Sequence, residues 1–298
     1  MLVAAALCPA APLLARELTG ADPVVPELRQ ACLDAAAFLL AAEPAVVAIV
    51  GVAAQARDWP ADGALDLAAF APALRRPARS AEPVAAAAAS RLPVPLGLGG
   101  MLLDQVGYAG RRLLRSVTQD DEAADCAALG ARLAGADERA ALLVMADGSA
   151  RRTLRAPGYL DERSVPFDAE VERAITGGDL RALLALDAVL ARDLMATGRP
   201  AWQVLAGAVL AGDGLAGDGL AGDGLAGDGH RLAGEPDGRR AAALVRYRDD
   251  PFGVFYLVAS LTCGRSDGSA AAGSTAMAGC DTQADVATCR DGRASWTV

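Results

Sequence analysis

The hydrophobic positions of this chain fall into short continuous runs that alternate with segments of helical periodicity. Continuous apolar runs over Leu2–Leu7, Ala45–Val50 and Ala140–Met145 have the length of strands that are buried on both faces of a parallel sheet. Shorter apolar stretches predict a further strand over Leu113–Val117 and an edge strand over Gly63–Phe70. Strands that alternate with helical segments indicate an α/β protein.

The segments between these runs predict helices. In Pro26–Ala42 the apolar side chains recur on one face, and Pro26 suits the first helical turn. A helix between the first two strands predicts a β-α-β unit with a parallel pair. Leu96–Gly107, with its Gly-Gly pair, predicts a loop and a short helix. Four more helices are predicted over Thr118 to about Ala134 (with a Thr118/Asp121 capping box), Pro166–Thr176, Asp179 to about Met195, and Pro200–Val209.

The last apolar segments predict an antiparallel hairpin at a sheet edge. They are Ala241–Tyr247 and Val254–Leu261, and a short turn containing Pro and Gly separates them. The complete pattern predicts an α/β fold with a mixed, mostly parallel central sheet and helices on both faces. We place this fold in a single domain over residues 1–261.

Two segments depart from this pattern. Leu210–Gly229 is a perfect fourfold repeat of Leu-Ala-Gly-Asp-Gly, and its five-residue period matches neither a solenoid nor a calcium-binding repeat. We interpret it as a flexible insertion. Thr262–Val298 is rich in Ser, Gly, Ala and Thr and has no apolar period, which predicts a disordered tail.

Composition excludes several classes of partner. The net charge is −9, which disfavours nucleic acids and anionic membrane surfaces. No run reaches the ~18 apolar residues of a membrane span, and Met1–Leu7 lacks the features of a signal peptide. We therefore expect a cytoplasmic protein that does not insert into a membrane.

The cysteines and the single histidine predict no metal site. Three cysteines, Cys8, Cys32 and Cys126, lie in apolar segments and are expected to be buried. The other three follow the last predicted strand, and no pair has the C-x-x-C spacing of zinc or redox sites. His230 comes directly after the repeat, where we interpret it as an exposed loop residue.

The polar loop after the Ala140–Met145 strand is the best candidate for a pocket wall, because the carboxyl ends of parallel strands meet at one sheet edge. Its candidate site residues are Asp147, Ser149, Arg151, Tyr159 and Asp161. Asp147 is interpreted either as a base or as a turn former. Ser149 has no histidine partner, which argues against a nucleophile.

The remaining polar side chains of this region have two interpretations each. Arg151, Arg152 and Arg155 either clamp a carboxylate or phosphate or form a solvated basic face. Asp168 either lines the same cleft or caps a helix. Trp202 is expected in the core rather than on a binding platform.

Several stretches resemble the B-type subunits of the class III extradiol ring-cleavage dioxygenase superfamily, and more closely an uncharacterised branch of it from high-GC bacteria. The resemblance spans about residues 1–261 apart from the repeat, and Asp147–Arg163 is its most specific part. The matching stretches are Leu2–Pro9 with Pro12–Leu14, Val46–Gly51, Leu142–Ser149, Ala156–Arg163, Pro166–Val171 and Trp202–Ala208.

The resemblance implies an Fe(II) site that this chain cannot complete. Members of the superfamily hold iron through two histidines and a glutamate, and a further histidine acts as acid and base. The resemblance places the two iron-binding histidines near Ala10 and Ala53 and the acid/base histidine near Ala150. It places the glutamate near Gly198 or Arg199. One histidine in the whole chain excludes a two-histidine site, so we expect no cofactor, with Fe(II) bound only if the family activity is retained.

Two functions follow as hypotheses. The first is a non-catalytic or repurposed protein that binds a small ligand or a partner. The second is an aromatic ring-cleaving dioxygenase, or another oxidoreductase of this family, acting on a catechol-like substrate. The resemblance also implies a homo-oligomer, since members of the superfamily commonly associate.

Overall fold

The computed structural model describes residues 1–20, 22–71, 91–135, 138–212 and 242–263. All of them belong to one compact unit, Met1–Arg265. His230, Cys280, Cys289, the repeat beyond Gly212 and the predicted tail beyond Cys263 lie outside the described residues.

The described residues form nine strands, seven of them in one sheet. The strands are β1 (Leu2–Cys8), β2 (Val46–Val52), β3 (Arg57–Trp59), β4 (Ala64–Leu65), β5 (Arg91–Leu92), β6 (Arg111–Val117), β7 (Ala140–Met145), β8 (Ala242–Asp249) and β9 (Tyr256–Thr262). The order in the large sheet is β3-β6-β2-β7-β1-β9-β8, and β4 pairs with β5 separately. The four central strands run parallel, and β3 and the β8–β9 hairpin complete the two edges with antiparallel pairs.

Strand order corrects one sequence-based prediction. β1 and β2 are parallel, but they are not neighbours, because β7 lies between them and pairs with both. All six residues of β7 are buried. A strand that is apolar on both faces buries most surface at the centre of a sheet. The sequence between β1 and β2 does not indicate that β7, a strand from much later in the chain, inserts between them.

Helices cover both faces of the sheet, as predicted. They are α1 (Arg16–Thr19), α2 (Pro26–Ala41), α3 (Val94–Gln105), α4 (Ala123–Ala134), α5 (Ser164–Thr176), α6 (Leu180–Leu184), α7 (Ala188–Asp193) and α8 (Arg199–Gly212), with a 3-10 turn at Pro12–Leu14. Alternate side chains of β1 divide between the two cores: Ala5 and Leu7 join α4, α5 and α8, whereas Ala4 and Ala6 join α2 and α3. The structure is thus a three-layer α/β domain.

Several predicted element boundaries were wrong. Of Gly63–Phe70, only Ala64–Leu65 is a strand, and α3 continues through the Gly-Gly pair where a loop was expected. The predicted helix from Asp179 to Met195 is two short helices, because Asp187 accepts hydrogen bonds from the first backbone N–H groups of α7 and starts a new helix. The Thr118/Asp121 pair closes a turn, and α4 begins only at Ala123.

The ends of the repeat and the tail also differ from the prediction. Leu210–Gly212, the first three residues of the repeat, continue α8 rather than belonging to an insertion. Thr262 ends β9 and pairs with Ala4 instead of opening the tail. In both places a regular element extends past the point at which the local composition changes.

Within the part of the chain that the structure describes, no helix is both long enough and apolar enough to cross a membrane.

Candidate functional site

A cleft of about 580 Å³ lies at the carboxyl ends of β1, β2 and β7. Its wall is mostly apolar, with polar groups along one side. The lining residues are Ala10, Pro12, Val52, Ala53, Ala54, Phe70, Val94, Pro95, Thr118, Gln119, Asp120, Met145, Asp147 and Thr197. Parallel strands place the segments that follow them at one edge, and this is where α/β folds bind ligands.

Asp147 supplies the carboxyl group of the cleft floor. The Ala10 N–H donates to Asp147 Oδ1 at 2.9 Å, and among the described residues it is the one donor to this carboxyl. The backbone at Asp147 is fixed as well, since Gly198 N–H donates to the Asp147 carbonyl at 2.9 Å. The segments after β1 and before α8 thus orient Asp147, and no described residue donates a hydrogen bond to its Oδ2.

Burial raises the pKa of Asp147 from 3.8 to about 7, and the Ala10 hydrogen bond opposes this rise. The side chain therefore changes between donor and acceptor close to neutral pH. A carboxyl with this property at an apolar floor can share a proton with a hydroxyl group of a bound molecule. Of the candidates named from sequence, Asp147 is the one that the structure places in the cleft.

Sequence reasoning missed the polar rim. Gln119 Nε2 donates to the Thr197 carbonyl at 2.6 Å, which joins the loop after β6 to the segment before α8. Asp120 lies beside Gln119 and forms an exposed ion pair with Arg192 at 2.7 Å. The Thr118/Asp121 pair predicted the start of a helix at this position, and nothing local indicated that Thr197 faces it.

The buried Arg199 side chain binds the backbone of this rim. Its side chain is buried and donates to the carbonyls of Gln119 at 2.7 Å and Asp121 at 3.1 Å, and to Gln203 Oε1 at 3.0 Å. Among the described residues no carboxylate pairs with it. A buried guanidinium that donates to loop carbonyls fixes their positions, so Arg199 is a positioning residue for the rim.

Ser149 and Asp168 form a buried structural pair rather than part of the cleft. Ser149 donates to Asp168 through its N–H at 2.9 Å and through Oγ at 2.6 Å. Asp168 lies inside α5, is fully buried and does not line the cleft, so both interpretations of this residue, the cleft wall and the helix cap, are wrong. Burial raises the pKa of Asp168, and the bonds from Ser149 and Arg152 oppose that rise. Neither residue lines the cleft.

Arg151, Tyr159 and Asp161 also lie away from the cleft lining. Arg151 Nε donates to the Gly158 carbonyl at 2.6 Å, so this arginine ties its own loop together. Asp161 pairs with Arg163 at 2.8 Å, and hydrogen bonds from Arg163 lower the pKa of Asp161 to about 2. The Tyr159 side chain is 72% exposed.

Of the two interpretations of the arginine cluster, the anion clamp is wrong for Arg151 and Arg152, because both bind groups of the protein itself. Arg152 is largely buried and binds Asp250 at 2.6 Å and Asp168 at 3.3 Å. Arg151 donates to the Gly158 carbonyl of its own loop. Arg155 is exposed and borders a separate groove. The loop after β7 therefore divides in two: Asp147 enters the cleft, and residues from Arg151 onward form another surface.

Burial of the remaining predicted core residues is confirmed. Trp202 is buried in the core on the α8 side of the sheet, and Cys8, Cys32 and Cys126 are buried free thiols. Burial raises the pKa of Cys126 to about 12, which keeps this thiol protonated and unreactive.

The donor set of the cleft does not fit Fe(II). Ala10 and Ala53 line the cleft, and neither has a side chain that can bind a metal. Its two carboxylates are Asp147 and the exposed Asp120, which is paired with Arg192. Across the described ranges no three His, Cys, Asp or Glu side chains are grouped to hold a metal ion. Iron of this class needs imidazole as well as carboxylate ligands.

Comparison with known proteins gives a limited result. No family model matches the chain, and no curated protein matches it. Among solved structures, the chain is similar to the crystal structure of the uncharacterized protein JW3007 from Escherichia coli K12. The sequence identity is 11%, the match covers 87% of this chain and 99% of that one, and the TM-score is 0.49.

Proposed function

We propose that this protein binds a small, predominantly apolar molecule that carries a hydroxyl group, and that the binding site is the cleft around Asp147. The observation that carries the proposal is the Asp147 carboxyl itself. It lies at an apolar floor, one oxygen is held by Ala10 N–H, and no described residue donates to the other. A fixed polar group in an apolar cleft is how proteins orient small ligands.

The charges of the cleft favour an uncharged ligand. The carboxylates of Asp147 and Asp120 repel an anion, and no arginine lines the cleft within the described residues. A neutral phenol or alcohol can donate to ionised Asp147 or accept from its protonated form. The volume of about 580 Å³ suits a molecule of one or two rings.

Binding of catechol and phenol by isothermal titration calorimetry tests this proposal. We expect Asp147→Ala to weaken binding by at least about tenfold, because the hydroxyl group loses its hydrogen-bond partner on the apolar wall of the cleft. Asp58→Asn is the matched control, since this exposed carboxylate is paired with Arg115 and lies outside the cleft lining, so its loss should change binding little. Equal affinities of wild type and Asp147→Ala would contradict the proposal, and so would failure of the wild type to bind either compound.

We further propose that binding requires no iron and leads to no ring cleavage, since the donor set of the cleft lacks imidazole. The family resemblance supports the alternative, a ring-cleaving dioxygenase. Anaerobic Fe(II) loading, followed by metal analysis and a catechol turnover assay, separates the two. Stoichiometric iron together with ring-opened product would establish the alternative and overturn our proposal. A cytoplasmic location, and the absence of nucleic-acid and membrane partners, stay predictions from composition and charge.

A further inference from the structure

Exposed apolar side chains gather around the loop that follows Ser149. Twelve large hydrophobic side chains are exposed in the described residues, and half of them lie here. They are Leu154, Tyr159, Leu160, Val165, Met195 and Phe252, with exposed fractions from 45% to 75%. We call this surface the 154–165 face. Single exposed apolar residues are ordinary, but a cluster of this size marks an interaction surface.

The loop packs against the Met195 segment on one side and against the β8–β9 turn on the other. Gly158 lies so close to Met195 that a Cβ atom there would be 2.6 Å from the Met195 sulfur. On the other side, Gly253 packs directly against Ala156. A groove of about 570 Å³ lies between the two segments, lined by Thr153, Leu154, Arg155, Pro251, Phe252 and Gly253.

The 154–165 face is held rigidly from below. Arg152 binds both Asp168 and Asp250, which fixes the loop to α5 and to the β8–β9 turn. Tyr159 N–H donates to the Ala156 carbonyl at 3.0 Å, which holds the Tyr159 backbone in its left-handed conformation with φ of 59°. Since the apolar side chains stand on a fixed loop, little conformational entropy is lost when they are covered.

Two charges on this face lack partners. Arg155 and Glu162 are exposed, and neither forms a hydrogen bond or ion pair with any other described residue. The neighbouring arginines Arg151, Arg152 and Arg163 are all paired. The face therefore presents one unused positive and one unused negative group beside its apolar side chains.

We propose that the 154–165 face is the surface through which two copies of this chain associate around a two-fold axis. In a two-fold interface the same patch meets itself, so Arg155 of each copy can pair with Glu162 of the other. Each copy also carries both the exposed Tyr159 ring and the groove beside Phe252, so Tyr159 of one copy can insert into the groove of the other. Copies that each carry a charge of −9 repel one another, so association depends on apolar burial together with these two ion pairs.

Charge reversal in the full-length chain tests the pairing by sedimentation velocity. We expect wild type to dimerise over roughly 1–100 μM, the range of weak homodimers. Arg155→Glu or Glu162→Arg alone should raise the dissociation constant at least about tenfold, because like charges then face each other. The double variant restores the opposite charges and should recover most of the affinity. Two disruptive single variants that are not rescued by the double variant would refute this pairing.

A second set of variants tests the apolar part of the face. Tyr159→Ser removes the anchor and should raise the dissociation constant at least about tenfold. Leu244→Ser is the matched control, because Leu244 is 57% exposed but lies on β8, outside the face. Thermal melting checks that each variant is folded, and Leu160→Ser replaces Tyr159→Ser if the latter is destabilised. A wild type that stays monomeric throughout, or a dimer that neither serine substitution on the face weakens, would overturn the proposal.

The test is independent of the proposed ligand site. None of the substituted residues lines the Asp147 cleft, so loss of dimerisation leaves the binding experiment valid. Likewise, failure of the cleft to bind phenols would leave the prediction for the 154–165 face unchanged.

Discussion

At the scale of single residues, environment separates two carboxylates of one loop region. Asp147 and Asp161 are fourteen positions apart. Burial raises the pKa of Asp147 to about 7, whereas hydrogen bonds from Arg163 lower the pKa of Asp161 to about 2. Identical side chains therefore differ in charge near neutral pH, and Asp147 is the one suited to exchange a proton with a ligand.

The raised pKa of Asp147 predicts how stability varies with pH. Its folded-state value of about 7 lies above the unfolded value near 3.8, so the folded state holds the proton more tightly. The resulting stabilisation is complete below about pH 4 and is lost as the pH rises to 7, by up to about 1.4 kcal/mol per pH unit. Asp147→Asn stays neutral and should lack this loss.

Urea unfolding of wild type and Asp147→Asn at several pH values between 4 and 8 measures the difference. Subtracting the two curves removes the contribution of the other carboxylates. Parallel curves for wild type and Asp147→Asn would show that burial does not perturb this carboxyl.

At the scale of elements, small residues set how closely helices approach their neighbours. A Cβ on Gly207 in α8 would lie 2.2 Å from the Ala127 carbonyl oxygen of α4, so these two helices pack backbone to backbone. The same reason explains why α3 continues through a Gly-Gly pair. Gly99 faces the sheet, where a side chain has no room, and the absence of a Cβ is required by packing rather than by a turn.

The two adjacent glycines of α3 give a matched prediction. A Cβ on Gly99 would lie 2.6 Å from Ile49 Cγ2, so Gly99→Ala should destabilise the fold by about 1–3 kcal/mol through overpacking. The nearest such atom to Gly100 is the flexible Arg112 Nη1 at 4.0 Å, so Gly100→Ala should stabilise it by about 0.5–1 kcal/mol through helix propensity. Chemical denaturation measures both, and equal effects would contradict the packing of α3 on β2.

At the scale of the whole molecule, the buried core residues that the structure describes extend from Leu2 to Leu261. The last strand of the described residues, β9, ends at Thr262. We therefore expect a chain truncated after Cys263 to keep the melting temperature of the full chain within about 2 °C. Differential scanning calorimetry of the two chains measures this. A larger decrease would show that residues 264–298 contribute to the fold, against the prediction made from their composition.

The periodicity of the chain determined most of the architecture. Runs of apolar residues gave β1, β2, β7 and the β8–β9 hairpin, and amphipathic spacing gave α2 and α5, because burial on one or both faces leaves a direct record in local sequence. The ends of the elements were harder to predict from the sequence. At Asp187, for example, a side-chain cap divides one continuous apolar pattern into two helices. Asp147 could be named from its position at the end of a buried strand.

Only the tertiary structure decided what surrounds Asp147 and where its neighbours go. The insertion of β7 between β1 and β2 brings Ala10, Ala53 and Asp147 to one cleft from distant parts of the chain. The rest of the loop lies outside the cleft because its polar side chains bind other partners. Ser149 donates a hydrogen bond to Asp168, and Arg152 forms an ion pair with Asp250. Local sequence specifies which segments are apolar, but strand order and buried polar pairing depend on residues more than a hundred positions apart in some cases, as for Ala10 and Asp147.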